Sequence, residues 1–268
     1  MTMPQDLEGR TLLAVFAHPD DESIASGGLL AWCAARGARV ALLCVTKGDF
    51  RPEPGTPGRT QPPEGRVKEL EAAADALGLS DVIVLGHRDG YLPWTDAERL
   101  EADIRAAIEW LHADVVVTFG EDGLYWHPDH IAVHDRTTAA VAALGAGAPA
   151  LYYVTMPPGR MRALVDAVAA RATDGRPHDD ILGISVVDAF GALALPPTLV
   201  VDAGPFAARK LAALRCHASQ VAGGALELLT EAEAPAYLGT EHYRRADTGS
   251  QAPTFLDALA GPAPSEAP

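Results

Sequence analysis

Apolar residues in the first 155 positions alternate between short unbroken runs and longer stretches of helical period. That alternation predicts a mostly parallel sheet with helices on both faces, an α/β fold. Residues 11–17 (TLLAVFA) form an uninterrupted apolar run ending at a polar loop, the pattern of a strand buried on both sides. A helix over 23–36 follows, stopped by Gly37, and then a strand over 40–46. The stretch 51–65 holds five prolines and three glycines and is expected to be a loop. A helix over 65–77, a strand over 81–85, a helix over 96–112 and a strand over 114–119 continue the rhythm. A further helix starts near Asp129, and residues 151–155 make the fifth strand. Beyond Met156 the pattern gives a helix over 160–171, strands over 181–187 and 198–201, and a last helix over 206–217. The expected organisation is one domain over residues 1–246, with 247–268, rich in Ala, Pro and Gly, as a flexible tail.

Charge narrows the partners. With 36 acidic against 21 basic residues the chain carries a formal net charge of −15, which opposes the phosphate backbone of nucleic acids and anionic membranes. A small-molecule partner is the expectation. No early segment reads as a signal peptide, and no apolar run reaches the ~18 residues needed to span a bilayer. Cys33, Cys44 and Cys216 lack paired spacing, so the chain reads as a soluble cytoplasmic protein with three reduced core thiols.

Ligands of open parallel sheets gather at the carboxyl ends of strands, and two of the loops there are loaded with chemistry. The first reads Ala17-His18-Pro19-Asp20-Asp21-Glu22, and the second reads Tyr125-Trp126-His127-Pro128-Asp129-His130. Catalytic zinc takes three N or O ligands and keeps one position open, a set that His18, Asp21 and His130 would supply. A spacing of three lets His18 and Asp21 turn toward one point, with Asp20 left as general base. Helix capping accounts for one acid of the first loop but not for its histidine. His130 and His134, four apart on one helix, are equally spaced for the third ligand, so the residues alone leave that choice open.

AHPDDE after the first strand and HPDH after the fourth, about 110 residues apart, resemble the PIG-L/LmbE family of zinc-dependent deacetylases. The segments around Arg66-Val67-Lys68-Glu69-Leu70 and residues 210–220 (KLAALRCHASQ) extend the likeness over roughly residues 10 to 220. The resemblance implies a Rossmann-like sheet with a small C-terminal addition, zinc on His18, Asp21 and His130, and Asp20 as general base. It also implies that His127 stabilises the oxyanion, that Asp129 orients His127 and that Tyr125 contacts the tetrahedral intermediate. Arg66 matches a position that in some members meets the substrate, whereas the Gly-Glu-rich segment with which several members contact the sugar is replaced here by Lys47-Gly48-Asp49-Phe50, where Asp49 is expected to take that part. Trp126 stands where many relatives carry glycine, a departure that reshapes the pocket.

The reaction implied is removal of the N-acetyl group from a GlcNAc-type glycoside of the kind found in thiol-cofactor precursors. The same zinc chemistry on another amide, a thiol S-conjugate or a secondary metabolite, is the alternative reading. Iron, cobalt or manganese also fit a two-histidine, one-aspartate site. Relatives often form trimers or hexamers, so a homo-oligomer is in keeping with the family. A Rossmann-like ligand-binding protein without hydrolytic activity fits poorly. The first strand leads to carboxylates rather than a glycine-rich phosphate loop, and a cluster of acids repels a pyrophosphate.

Overall fold

The computed structural model describes residues 6–50 and 63–259. Its N-terminal part runs β1 (Thr11–Phe16), α1 (Asp21–Ala34), β2 (Arg39–Thr46), α2 (Pro63–Leu77), β3 (Asp81–His87), α3 (Ala97–Leu111) and β4 (Val115–Phe119). The one-turn segment α4 (Gly123–Trp126) then leads through α5 (Pro128–Ala143) to β5 (Ala150–Thr155) and α6 (Arg160–Ala169). The C-terminal part adds β6 (Leu199–Asp202), α7 (Ala207–Cys216), the short helices α8 (Ala218–Val221), α9 (Ala225–Leu228) and α10 (Ala234–Leu238), and β7 (Thr240–Gly249). Strand order is β3-β2-β1-β4-β5-β7-β6, with β1 to β5 parallel and β7 antiparallel to both its neighbours. Helices α1, α2 and α7 pack together on one face, and α3 packs with α5 on the other.

This order puts the topological switch between β1 and β4, whose helices leave to opposite faces and open a crevice at the strand ends. Pairing of β1 with β4 stops at Ala14↔Val117. Beyond that point hydroxyls replace the ladder. Thr118 Oγ1 donates to Val15 O and Thr46 Oγ1 to Ala17 O, both at 2.9 Å. Every residue of β1 and β4 is buried, which explains why both read as unbroken apolar runs.

Three expectations need correction. Residues 181–187 are not a strand: Leu182 and Gly183 both take positive φ (53° and 84°), folding Ile181 back onto Ile184 in a tight turn. The chain is not a flexible tail from residue 247. Strand β7 runs through that boundary to Gly249, Leu256 is buried in a 3-10 turn, and Tyr152 Oη lies 2.9 Å from Thr254 Oγ1. Cys216 is partly exposed rather than a core thiol, while Cys33 and Cys44 are buried. The expected loop 51–65 lies outside the described residues as far as 62, and α2 begins at Pro63.

Strand β7 also seats a buried ion pair. Glu241 accepts from Lys210 Nζ (2.7 Å), from the backbone N–H of Gly28 and Leu29 in α1 (2.8 Å each) and from Tyr243 Oη (2.8 Å). Only glycine fits at position 28, because a Cβ there would lie 2.5 Å from Ala203 Cβ. Helix α1, which begins at the first loaded loop, is thereby locked to the far end of the sheet.

Candidate metal centre

The loop after β1 and the start of α5 converge across the crevice. His18 Nδ1 lies 3.2 Å from His130 Nε2, His130 Nε2 lies 3.2 Å from Asp21 Oδ1, and His18 Nδ1 lies 3.3 Å from Asp21 Oδ2. Ligands about 2.0–2.1 Å from a tetrahedral ion stand about 3.3 Å apart, so this triangle has the size of one face of a zinc coordination shell. The tautomers agree with it. His130 Nδ1 meets Gly123 O at 3.1 Å, and His18 Nε2 faces Asp89 Oδ1 at 3.1 Å and Asp129 Oδ2 at 3.3 Å. Both outer nitrogens therefore carry protons, leaving the two inner lone pairs free for a cation. His134, the rival ligand, points elsewhere: its Nδ1 is bonded to Phe119 O at 2.9 Å and its ring packs on Tyr153.

The electrostatics also call for positive charge. Burial opposes protonation of His18, yet Asp129, Asp21 and Asp89 together hold its pKa well above the ordinary value. Burial likewise works against ionised Asp21, and the His130 and His18 imidazoles outweigh it, keeping that carboxylate well below its usual range. Such a cluster of buried acids and imidazoles fits a resident divalent cation.

Asp20 stands apart from the triangle. It does not cap α1; its Oδ2 accepts from Arg66 Nη2 at 2.9 Å, and its backbone takes φ 125°, ψ −27°, a conformation rarely open to a non-glycine residue. Glu22 Oε2 holds the Asp20 N–H at 3.1 Å, and Glu22 Oε1 in turn meets His217 Nε2 at 2.7 Å. Burial pushes the Asp20 pKa up to about 7, with Arg66 pulling it down and Asp21 pushing it up further. A carboxyl near 7 suits a general base at neutral pH. Arg66 is drawn inward by the same loop, with Nη2 also on Pro19 O at 2.6 Å, so its position is that of a brace for Asp20. Its Nε is buried without a partner, as is Asp49 Oδ1.

His127 and Asp129 are arranged differently from expectation. Asp129 directs its carboxylate away from His127, accepting from Gly90 N (2.7 Å) and Leu92 N (3.1 Å) and approaching His18. It is the backbone N–H of Asp129 that reaches His127 Nδ1, at 3.2 Å, making His127 the N-cap of α5. The neutral ring then carries its proton on Nε2. Burial, followed by repulsion from His130 and His18, lowers the His127 pKa to about 4. One nitrogen of His127 lies within 4.8 Å of ligand nitrogens on His18 and His130. The Tyr125 ring stands edge-on to His130 at 5.1 Å and against Phe190 at 4.7 Å.

Asp89 escaped sequence reasoning, as did the Glu22–His217 pair. Asp89 is one acid in an Arg-Asp-Gly turn, without ligand-like spacing, and His217 lies 195 residues from its partner. The KLAALRCHASQ segment was the only signal that pointed to His217.

A family model described as PIG-L, GlcNAc-PI de-N-acetylase, matches residues 13–141. The chain is 33% identical to a 1D-myo-inositol 2-acetamido-2-deoxy-alpha-D-glucopyranoside deacetylase of Acidothermus cellulolyticus, over 80% of both chains. It is 33% identical to one so named from Thermomonospora curvata, over 95% of this chain and 93% of that one. Among solved structures, N,N'-diacetylchitobiose deacetylase from Pyrococcus horikoshii superposes with a TM-score of 0.60 at 19% identity, covering 88% of this chain and 84% of that one. A 4-carboxy-2-hydroxymuconate hydratase from Pseudomonas putida reaches 0.61 at 17% identity, covering 91% and 99%. These two likenesses are of fold alone, and a fold shared with a hydratase does not fix a reaction. The sequence relatives go further, and with both loaded loops inside the matched region the chain belongs to the PIG-L family of de-N-acetylases.

Proposed function

We propose that the protein hydrolyses the N-acetyl amide of a GlcNAc-containing small molecule, releasing acetate and the free amino-sugar, with one zinc ion held by His18, Asp21 and His130. The observation that carries this reading is the triangle of ligand atoms 3.2–3.3 Å apart beside the buried Asp20 carboxyl, which Arg66 holds at 2.9 Å. Two imidazoles and a carboxylate suit zinc, which when bound polarises the amide carbonyl and acidifies water.

The chain's own groups supply the proton handling. Asp20 Oδ accepts the proton of the attacking water, and its raised pKa lets it keep that proton until the amine departs. His127, with a pKa near 4, is neutral at pH 7; it is a poor proton source but a good N–H donor to the oxyanion through Nε2. Asp20 is therefore assigned both proton transfers. Tyr125, edge-on to His130, borders the position of the developing charge. Asp89 and Asp129 fix the His18 tautomer, while Arg66 and the Glu22–His217 pair hold Asp20 in its strained backbone. Asp49, with a buried oxygen lacking a partner, is left as the polar contact for a sugar hydroxyl.

The substrate class follows from the relatives, which are named for an N-acetylglucosaminide of inositol. No helix among the described residues is long and apolar enough to cross a membrane, and with three free cysteines a reducing cytoplasm is the proposed location. The test is acetate release from a panel of N-acetylglucosaminides by zinc-loaded wild type and Asp20→Ala. Turnover by wild type and a loss of about 10²–10⁴-fold in the variant, with zinc retained, is expected. Equal rates in the two proteins would remove Asp20 from the mechanism. Turnover of other amides but of no glucosaminide would remove the sugar.

A further inference from the structure

Large apolar side chains that remain exposed are not scattered over this molecule. Apart from Trp110 on α3, those among the described residues lie on segments that follow β2, β3 and β4 or belong to residues 186–195. Phe50 follows β2, Tyr91 and Trp94 follow β3, Trp126 follows β4, and Val186 and Leu193 belong to the 186–195 segment. That segment is tied to the second loaded loop by Gly191 N to Leu124 O (2.8 Å) and by the Phe190–Tyr125 ring contact. The Phe50 backbone N–H donates to Asp89 Oδ2 (3.0 Å), whose other oxygen faces His18. Tyr91 and Trp94 pack edge to face at 6.1 Å, and the Arg88 guanidinium lies 3.7 Å over the Tyr91 ring. Phe50 is bonded to Asp89, Tyr91 follows Gly90, which donates to Asp129, and Trp126 adjoins His127, so these exposed residues form a collar attached to the site.

Trp126 is its most informative member. It sits between Tyr125 and His127 at φ 69°, a backbone region that favours glycine and costs a bulky residue about 1–3 kcal/mol. Leu124 also takes φ 69°, with ψ −44°. Trp126 is 48% exposed, and among the described residues the indole has neither a hydrogen bond nor a ring contact to offset this. A strained, unpartnered aromatic beside the reacting groups is the signature of a surface kept for a ligand.

Accepting the deacetylase reading above, on which this rests, we infer that Trp126 and the surrounding collar bind an apolar aglycone, an aryl or alkyl group at the anomeric carbon of the N-acetylated amino-sugar. The scissile amide must reach the ligand triangle, where His18, Asp21 and His130 are all buried and Phe119 stacks on His130 at 3.9 Å. An acetyl group ends there, and the sugar extends outward to the collar. An anionic aglycone is disfavoured, because Asp20, Asp21, Asp89 and Asp129 surround the centre, Arg66 is already paired with Asp20, and Arg88 at the rim is stacked on the Tyr91 ring. A neutral apolar group gains from the aromatic faces without opposing that field.

The test compares kcat/KM for amine release from methyl, phenyl, octyl and inositol N-acetyl-α-D-glucosaminides, together with the N-octanoyl form of the methyl glycoside. For wild type the phenyl and octyl glycosides should exceed the methyl and inositol ones by about 10- to 100-fold, chiefly through KM. In Trp126→Gly, which the φ of 69° accommodates without strain, the phenyl-to-methyl ratio should fall at least fivefold with no drop in melting temperature. Turnover of the methyl glycoside with a flat aglycone profile overturns the inference alone and leaves the collar to a second copy of the chain. A ratio unchanged in Trp126→Gly, or a gain that follows the N-octanoyl group instead, also overturns it. Failure to release amine from any glucosaminide overturns the deacetylase reading with it.

Discussion

Replacing Asp129 by asparagine separates the two roles open to that residue. Its oxygens accept from Gly90 N and Leu92 N, and Oδ2 also faces His18 Nε2 at 3.3 Å. An amide keeps one acceptor and turns an NH₂ toward the other backbone donor, leaving one buried N–H unmatched at a cost of about 1–3 kcal/mol. At about 2–4 °C per kcal/mol for a chain of this size, the melting temperature should fall by roughly 2–12 °C. His18 keeps Asp89 but loses one of its two outer carboxylates, and losing such a partner typically weakens metal binding about 10–100-fold. The assay is a competitive zinc titration with a chromophoric chelator, run beside acetate release at saturating zinc. Weaker zinc binding with kcat within about tenfold of wild type is expected. Unchanged zinc affinity with a collapse of kcat would show that the carboxylate acts through His127 after all and refute the bracing of His18.

Two further outcomes follow from the same structure. Lys210→Met leaves buried Glu241 hydrogen-bonded by neutral donors alone; a destabilisation of about 3–5 kcal/mol in chemical denaturation is expected, with zinc stoichiometry intact, and a loss below ~1 kcal/mol would contradict the ion pair's role. Because Asp20 must be ionised to act as base, kcat/KM should rise as pH passes through about 7, and Arg66→Met, which removes the cation favouring the ionised form, should move that limb to higher pH; a downward shift would contradict the pairing.

What could be read from sequence divides along physical lines. Strands β1 and β4 are legible because burial on both faces leaves nothing but apolar side chains, and the loops they feed are legible because imidazoles and carboxylates crowd within six residues. Strand β7 is not: its inward face carries Glu241 and its other positions carry Arg244 and Arg245, a polar pattern that reads as no strand until Lys210, 31 residues earlier, is seen to neutralise Glu241. Spacing alone left His130 and His134 open, since four residues apart puts both on one helix face; the family resemblance implied His130, and in the structure the Phe119 carbonyl takes His134 away. Asp129 misled for a related reason: next to His127 in the motif, it spends its carboxylate on a loop nearly forty residues earlier.

The most direct test is an anomalous difference map from crystals grown with zinc. One zinc peak about 2.0–2.1 Å from His18 Nδ1, His130 Nε2 and an Asp21 oxygen, with Asp20 outside bonding distance, is the expected result. A peak bonded instead through Asp89 and Asp129, which also form a ligand-sized group with His18, or closed by His127 as a fourth protein ligand, would contradict the catalytic site derived from this triangle.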